Sequence, residues 1–223
     1  MTISPASASR RDFLKVSGAL GLAAGLAATL AACGGSQKPT GTGTGADPSK
    51  INKDGTITAG ISYELGTTGY DPMITSAALT IAANWHTLEG LTELHPATRE
   101  VYAALGAELP KKVDDTTYEV TLRDGAKFSD GTAVTTDDVV FSFERVLEPT
   151  NKSTYLQFLQ FVAKVEAKDA TTVTIKLNYP FSLVAERLSV VKIVPKAVVE
   201  ADAKAFDLMP TGSGPYKMTD NSA

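Results

Sequence analysis

The chain has 223 residues, of which 43% are hydrophobic and 21% charged, so its composition is that of a globular protein and not of a disordered chain. Its net charge of −4 excludes the basic surface that binds phosphates, and no nucleic-acid partner is predicted. One cysteine and two histidines exclude an internal disulfide and a Cys/His metal cluster, and no cofactor is predicted.

The N-terminal segment has the layout of an export signal. Arg10 and Arg11 stand before a weakly apolar, uncharged run over residues 16–32, and small residues precede Cys33. The run is shorter than the roughly 20 apolar residues that a membrane-spanning helix needs, and its glycines weaken a helix further. We therefore expect it to act as a signal and not as part of the folded protein.

Two short motifs in this segment resemble known processing signals. Residues 9–15, SRRDFLK, resemble the twin-arginine export motif at every position, and residues 30–33, LAAC, resemble a lipobox. The second resemblance implies that a signal peptide, residues 1–32, is cut off before Cys33 and that the Cys33 thiol carries a diacylglyceryl group. Because more than one acyl chain gives stable anchoring, the mature protein would be tethered to the outer face of the cytoplasmic membrane.

Residues 33–50 are rich in Gly, Thr and Ser and contain too little apolar surface to form a core. This composition predicts a flexible linker between the lipid anchor and the folded part. A tether of this kind suits a domain that must reach a partner in the same membrane, although lipoproteins of other functions carry one too.

From Ile51 onward short strand and helix patterns alternate, which predicts a mixed α/β fold. A strand is predicted over residues 55–62, and a loop leaves it at the end where an α/β sheet exposes a crevice. Thr75 or Ser76 is the predicted N-cap of a helix that continues to Leu88.

Two later segments, residues 118–122 and 173–177, alternate between apolar and polar side chains with the period of a strand that buries one face. Residues 129–131, Ser-Asp-Gly, predict a turn between them. Near the end of the sequence, Gly214 and Pro215 predict a bend that precedes another strand.

A second helix is predicted between these strands. Thr135 or Thr136 would cap it, and acidic residues in its first turn suit the positive end of the helix dipole. Apolar residues then recur at helical spacing, which predicts that the helix packs one face on a sheet. These residues are Val139, Phe143, Val146 and Leu147.

Five segments carry a resemblance to one protein family: residues 85–91, 118–131, 135–146, 193–196 and 212–217. Together they resemble the extracytoplasmic solute-binding proteins of the peptide/nickel type. Members of that family bind oligopeptides, dipeptides, nickel complexes, haem, sugars or other solutes between two lobes. They deliver the solute to the membrane permease of an ABC importer.

The resemblance implies a periplasmic-binding-protein-like α/β fold, two-lobed and of the peptide-binding type, here an incomplete first lobe plus its small inserted subdomain. Residues 51–90 and 191–223 would be pieces of the large lobe, and residues 91–190 would be the inserted α/β subdomain. Because family members are much longer than this chain, we expect a truncated or partial protein that lacks the second lobe.

Two tyrosines are the candidate ligand-binding residues. The resemblance implies that Tyr155, which follows the acid-rich helix, lies near the cleft and can hydrogen-bond the backbone of an extended ligand. The alternative is a half-buried tyrosine of the core. Tyr70 is the second candidate, because the loop 64–77 leaves the first predicted strand at its carboxyl end. Trp85, His86 and His95 could also contact a ligand, but a lone histidine or tryptophan near a helix is more often a packing residue.

The predicted function is therefore binding without catalysis, by a monomer whose partners are a peptide or similar solute and an ABC permease. The sequence contains no G-x-S-x-G, no H-E-x-x-H and no catalytic cysteine motif, so a hydrolase is not predicted. The alternative is a one-lobed surface lipoprotein that acts as an interaction or adhesion module.

Overall fold

The computed structural model describes residues 55–56, 60, 69–74 and 76–221. The chain divides into the units Met1–Thr58 and Ala59–Ala223, and every helix and strand described here belongs to the second. In chain order these are α1 Ala78–Thr87, β1 Thr92–Leu94, β2 Val101–Ala103, β3 Lys111–Asp114, β4 Thr117–Thr121, α2 Thr136–Leu147, the 3-10 helices Pro149–Asn151 and Leu156–Phe158, β5 Val162–Ala167, β6 Thr172–Leu177, α3 Val184–Leu188, α4 Lys196–Ala201 and α5 Ala203–Leu208.

Several predictions concern residues outside the described part of the chain. Arg10, Arg11, Cys33 and the linker 33–50 lie there, and so does most of the predicted strand 55–62.

Four strands form an antiparallel sheet in the order β3-β4-β6-β5, and β1 and β2 form a separate antiparallel pair. In the register of β4 and β6, Tyr118 lies opposite Ile175 and Val120 lies opposite Val173. The side chains of Val120, Val173 and Ile175 are buried, and Leu177 is buried at the end of β6. The two predicted one-face strands are therefore confirmed, and they are neighbours in one sheet.

The helix α2 begins as predicted. Thr135 is its N-cap, and a capping box joins the Thr135 and Asp138 side chains to each other's backbone amides. Val139, Phe143 and Val146 are buried, and the helix packs against β5 and β6. Local cap chemistry and helical spacing were sufficient to predict this element.

The helix α1 is also present, but the prediction that Ser76 caps it with its side chain is wrong. The N-cap is Ala77, which makes no side-chain cap bond, and the helix begins at Ala78. Ser76 therefore stands one position too early for its hydroxyl to serve as the cap. The other predicted cap, Thr75, lies outside the described residues.

Within the described residues, the core consists of two clusters of buried hydrophobic side chains. The larger cluster fills the space between the four-stranded sheet and α2 and extends to Val191 and Ile193. The smaller cluster lies next to α4 and α5, and Phe141 of α2 packs against its edge. It consists of Leu88, Val194, Val199 and Phe206.

The last described segment returns to the end of α1. The Gly214 amide donates to the Thr87 carbonyl oxygen and the Tyr216 amide donates to the His86 carbonyl oxygen, both at 3.0 Å. A Cβ atom at Gly214 would lie 2.6 Å from the Thr87 carbonyl carbon, so a side chain does not fit there without backbone movement.

The predicted bend at Gly214 is present, but the predicted strand after it is not found in the described residues. The backbone of this segment hydrogen-bonds to the end of a helix, which offers no strand edge. A second contact of the same kind lies nearby, where the Ile193 amide donates to the Glu89 carbonyl oxygen at 2.9 Å.

Candidate functional site

A cavity of about 180 Å³ lies beside α1, and we call it the Tyr155 cavity. Its walls come from one face of α1, from β1 and from six residues outside these two elements: Pro72, Arg99, Tyr155, Ser189, Val190 and Lys192. An engineered apolar cavity of roughly 150 Å³ in another protein binds benzene, so this cavity can accommodate one amino-acid side chain.

Tyr155 both lines this cavity and packs against the larger hydrophobic cluster. Burial raises the pKa of its hydroxyl above the usual value, so the group stays protonated at neutral pH and can donate a hydrogen bond. Its backbone is positioned by Ser153, whose Oγ accepts from the Tyr155 amide at 3.2 Å and donates to the Met73 carbonyl oxygen at 2.9 Å. The two interpretations of Tyr155, a core residue and a cavity residue, thus describe the same side chain.

Tyr70 is not among the residues that line the Tyr155 cavity. Its backbone instead connects the loop to the helices α1 and α5. The Tyr70 amide donates to the carbonyl oxygen of Asp207 in α5 at 2.8 Å, and the Tyr70 carbonyl oxygen accepts from Nδ2 of Asn84 in α1 at 2.9 Å. The described contacts of Tyr70 therefore fix the loop and orient Asn84, and a ligand contact by its ring stays a prediction.

A buried ion pair holds the same loop in place. Asp71 Oδ2 lies 2.5 Å from Arg145 Nη2, and the two side chains are 3% and 12% exposed. Asp71 Oδ1 also accepts from the Met73 amide at 3.0 Å. Asp207 Oδ1 accepts from the Asp71 amide, and burial, assisted by the Asp71 charge, raises the pKa of the Asp207 carboxyl.

A second ion pair lies in the wall of the cavity, where the Lys192 ammonium donates to Glu93 Oε1. The same oxygen accepts from the Gly90 amide at 2.8 Å. These two charges are almost fully buried and compensate each other, whereas Arg99, which also lines the cavity, is exposed.

A wider groove of about 480 Å³ adjoins the cavity and shares Trp85, Glu93 and Leu94 with it. We call it the Trp85 groove. Trp85 and Tyr102 are 49% and 47% exposed. Half of the Trp85 surface faces solvent at the junction of the two depressions, and the other half is buried.

Other residues of the groove are held by structural contacts. Arg123 pairs with Glu89 at 2.8 Å and also donates to the Ala104 carbonyl oxygen. His86 is exposed in this groove, and its ring meets that of Tyr216 edge to face, with 5.9 Å between the ring centroids.

Sequence reasoning missed Asn84, Glu93 and Lys192. Asn84 could have been noticed as a polar residue on the mostly apolar segment 78–85. No local signal pairs Glu93 with Lys192, because 99 positions separate them.

In the part of the chain that the structure describes, no group of three or more His, Cys, Asp or Glu residues is placed to hold a metal ion. Within the same residues, no helix has the length and apolar character needed to cross a membrane.

Comparison with known protein families identifies the family of this chain. Residues 100–223 match the family of bacterial extracellular solute-binding proteins, family 5 Middle, and these residues are more than half of the chain. The chain therefore belongs to this family, whose members are non-enzymatic binding proteins. Residues 7–27 match the twin-arginine translocation pathway signal sequence, so an extracytoplasmic location is indicated.

Individual relatives agree with this assignment. The chain is 37% identical over 124 residues to protein XP55 of Streptomyces lividans, a match that covers 54% of this chain and 22% of that protein. It is 36% identical over 107 residues to the glutathione-binding protein GsiB of Escherichia coli K12, covering 47% and 21%. The matches thus span about a fifth of the length of these curated relatives.

Solved structures share the fold. The oligopeptide-binding protein AppA of Bacillus subtilis, in complex with a nonapeptide, has a TM-score of 0.63 and 26% identity, covering 70% of this chain and 32% of that chain. NikZ of Campylobacter jejuni, in complex with Ni(L-His), has a TM-score of 0.62 and 25% identity, covering 71% and 32%. The predicted periplasmic-binding-protein-like α/β fold of the oligopeptide-binding type is therefore confirmed.

Proposed function

We propose that this protein captures a peptide or a similar small solute for an ABC importer, and that the solute binds at the Tyr155 cavity and the Trp85 groove. The observation that carries this proposal is the pair of adjoining depressions, one with a half-buried tyrosine and one with half-exposed aromatic side chains. Such apolar depressions with a few polar groups are the usual form of small-molecule sites. The relatives named for peptide, glutathione and Ni(L-His) binding support an amino-acid-derived solute.

The depressions form one wall of a cleft in this proposal, and the second wall would come from a second lobe that these 223 residues do not include. The small share of each relative that the chain matches supports this view. A solute on one wall alone faces water on its open side. Each hydrogen bond then competes with solvent and contributes only about 0.5 to 1.5 kcal/mol.

The proposed division of the folded part also follows the predicted boundaries. Residues 51–90 and 191–223 would belong to the large lobe, and residues 91–190 to the inserted subdomain. The four members of the smaller hydrophobic cluster all lie outside residues 91–190, which supports the division.

We further propose that Cys33 is the lipidated N-terminus of the mature protein and that residues 33–50 are its flexible linker. The lipid would hold the protein, as a monomer, on the outer face of the cytoplasmic membrane. There the linker would let it reach the permease that accepts the solute.

The binding proposal can be tested through Trp85, the only tryptophan of the chain. Its fluorescence is followed while the 223-residue protein is titrated with glutathione and with mixed di- to pentapeptides. We expect saturable but weak binding, in the millimolar range, because one wall buries only part of the solute. Micromolar or tighter binding to a folded monomer would contradict the one-wall proposal. Absence of any response, in fluorescence and in calorimetry, would contradict solute binding at this surface.

A further inference from the structure

The turn between β1 and β2 brings a cationic side chain to the Tyr155 cavity. Arg99 belongs to this turn, lines the cavity and is exposed. Backbone hydrogen bonds close the turn, because the His95 amide donates to the Glu100 carbonyl oxygen and the Arg99 amide donates to the His95 carbonyl oxygen, both at 2.8 Å. The backbone from which the Arg99 side chain extends is therefore fixed beside the cavity.

The backbone of Arg99 has a φ of 64°, which lies in the left-handed region that favours glycine. Other residues adopt this region at a cost, because the Cβ atom comes too close to the following carbonyl oxygen. The hydrogen bonds that close the turn use backbone atoms of Arg99 and not its side chain, so they do not require an arginine. A strained residue whose side chain has no role in the local fold is a candidate for a functional role.

Arg99 also differs in its charge environment from the other charged residues of the two depressions. Those residues form two ion pairs, Glu93 with Lys192 and Glu89 with Arg123. No described residue forms an ion pair or a side-chain hydrogen bond with Arg99. The described residues that line the cavity and the groove therefore carry one uncompensated positive charge, although the chain as a whole has a net charge of −4.

We propose that Arg99 is a specificity-determining residue, which binds a carboxylate group of the solute at the Tyr155 cavity. This inference rests on the proposed function and names the class of solute, a peptide or amino-acid derivative whose carboxylate reaches the cavity. A guanidinium group suits this task, because its planar fork of N–H donors matches the two oxygens of a carboxylate. A cationic solute would find no uncompensated carboxylate among the described residues of the same wall.

The test follows the fluorescence of Trp85, which lines the same cavity, in the unchanged 223-residue protein. Two matched pairs of probes distinguish the two sources of a carboxylate. L-Alanyl-L-leucine is compared with its C-terminal amide, and L-alanyl-L-glutamic acid α-amide is compared with L-alanyl-L-glutamine α-amide. In at least one pair, the carboxylate should bind about 3- to 5-fold more tightly than its neutral partner, as expected for an ion pair in contact with solvent. Added sodium chloride should reduce the difference.

The variant Arg99→Gly removes the cation and should abolish this preference. Because glycine adopts a φ of 64° without strain, the variant should also unfold at a temperature about 2 to 4 °C higher. Lys152→Gly is the matched control, since Lys152 is an exposed cation with a φ of 53° and is not among the residues that line the cavity. This control should gain a similar amount in unfolding temperature and keep the carboxylate preference.

Equal affinities within both pairs of probes for the unchanged protein would overturn the inference, and this comparison does not depend on any variant. A carboxylate preference that survives in Arg99→Gly would overturn it too, and would show that Arg99 is only a turn residue. If peptides bind without a carboxylate preference, the inference is wrong and the proposed function stands. If no probe binds, both are wrong.

Discussion

The Asp71 carboxylate is the most deeply buried charged side chain next to the candidate site, and its neighbours show how the loop 69–74 is held. Arg145 compensates the charge, and the Met73 amide donates to one of the carboxylate oxygens. Removing a charge from water is costly, so a buried carboxylate persists only where such partners surround it. Because Pro72 of this loop lines the cavity, the ion pair also shapes the site.

We therefore predict that Arg145→Gln lowers the free energy of unfolding by about 3 to 5 kcal/mol, because it leaves the Asp71 carboxylate buried without its cation. Lys168→Gln is the control. It breaks the ion pair between Lys168 and Glu119, in which the lysine side chain is half exposed, and should cost less than about 1 kcal/mol. Urea denaturation measures both values, and equal losses would show that the Asp71 pair is not a buried charge pair in solution.

The sequence predicted single residues only where a local pattern decides their environment. The buried side chains of residues 173–177 follow from alternation alone. Tyr155 could be assigned to the neighbourhood of the cleft by resemblance, but whether it was core or cavity required the surrounding fold. The burial of Asp71 could not be predicted, because its partners Arg145 and Asp207 are distant in sequence. Asn84 stands out as a polar residue on an apolar segment, but its bond to the Tyr70 carbonyl oxygen has no local signal.

Helices and strands, too, could be predicted where the signal is local in sequence and not where it depends on distant contacts. The helix α2 was predictable because its cap and its first turn are contiguous in sequence. The order β3-β4-β6-β5 was not, since a period of two residues shows which face is buried but not which strand is the neighbour. The cap of α1 was assigned wrongly because Ser76 has the right chemistry one position too early.

At the start of α2, Asp138 has two structural roles. One carboxylate oxygen accepts from the Thr135 amide and hydroxyl, and the other accepts from the Lys196 amide at the start of α4. We predict that Thr135→Ala lowers the free energy of unfolding by about 1 kcal/mol, since it removes the cap alone. Asp138→Ala should cost about 2 to 3 kcal/mol, because it also breaks the bond to α4.

The neighbouring acid supplies the matched control. Asp137 lies in the same helical turn but is exposed, so Asp137→Ala removes only a favourable interaction with the helix dipole. Its effect should be about 0.3 to 1 kcal/mol in thermal or urea unfolding. If Asp137→Ala costs as much as Asp138→Ala, helix charge and not the link to α4 explains the effect.

For the whole molecule, export and anchoring should be separable by mutation. We predict that Cys33→Ser leaves an exported but unlipidated protein that no longer sediments with membranes, because the acyl chains supply the membrane affinity.

Changing Arg10 and Arg11 together to lysine keeps the charge but should leave the protein in the cytoplasm, because a receptor reads the twin-arginine motif. Cell fractionation with mass spectrometry of the mature N-terminus measures both results, and an unmodified Cys33 in membrane-bound material would contradict the anchor.

The contacts of the last described segment with the end of α1 affect how the protein folds. The bond from the Gly214 amide to the Thr87 carbonyl oxygen closes a loop of more than a hundred residues, whereas β3 and β4 are joined by a short turn. Closing a long loop costs more chain entropy, so the local hairpins should form early and the Thr87 contact late. During synthesis α1 leaves the ribosome long before Gly214 does. Until Gly214 and Tyr216 have been made, the carbonyl oxygens of Thr87 and His86 lack these hydrogen-bond donors.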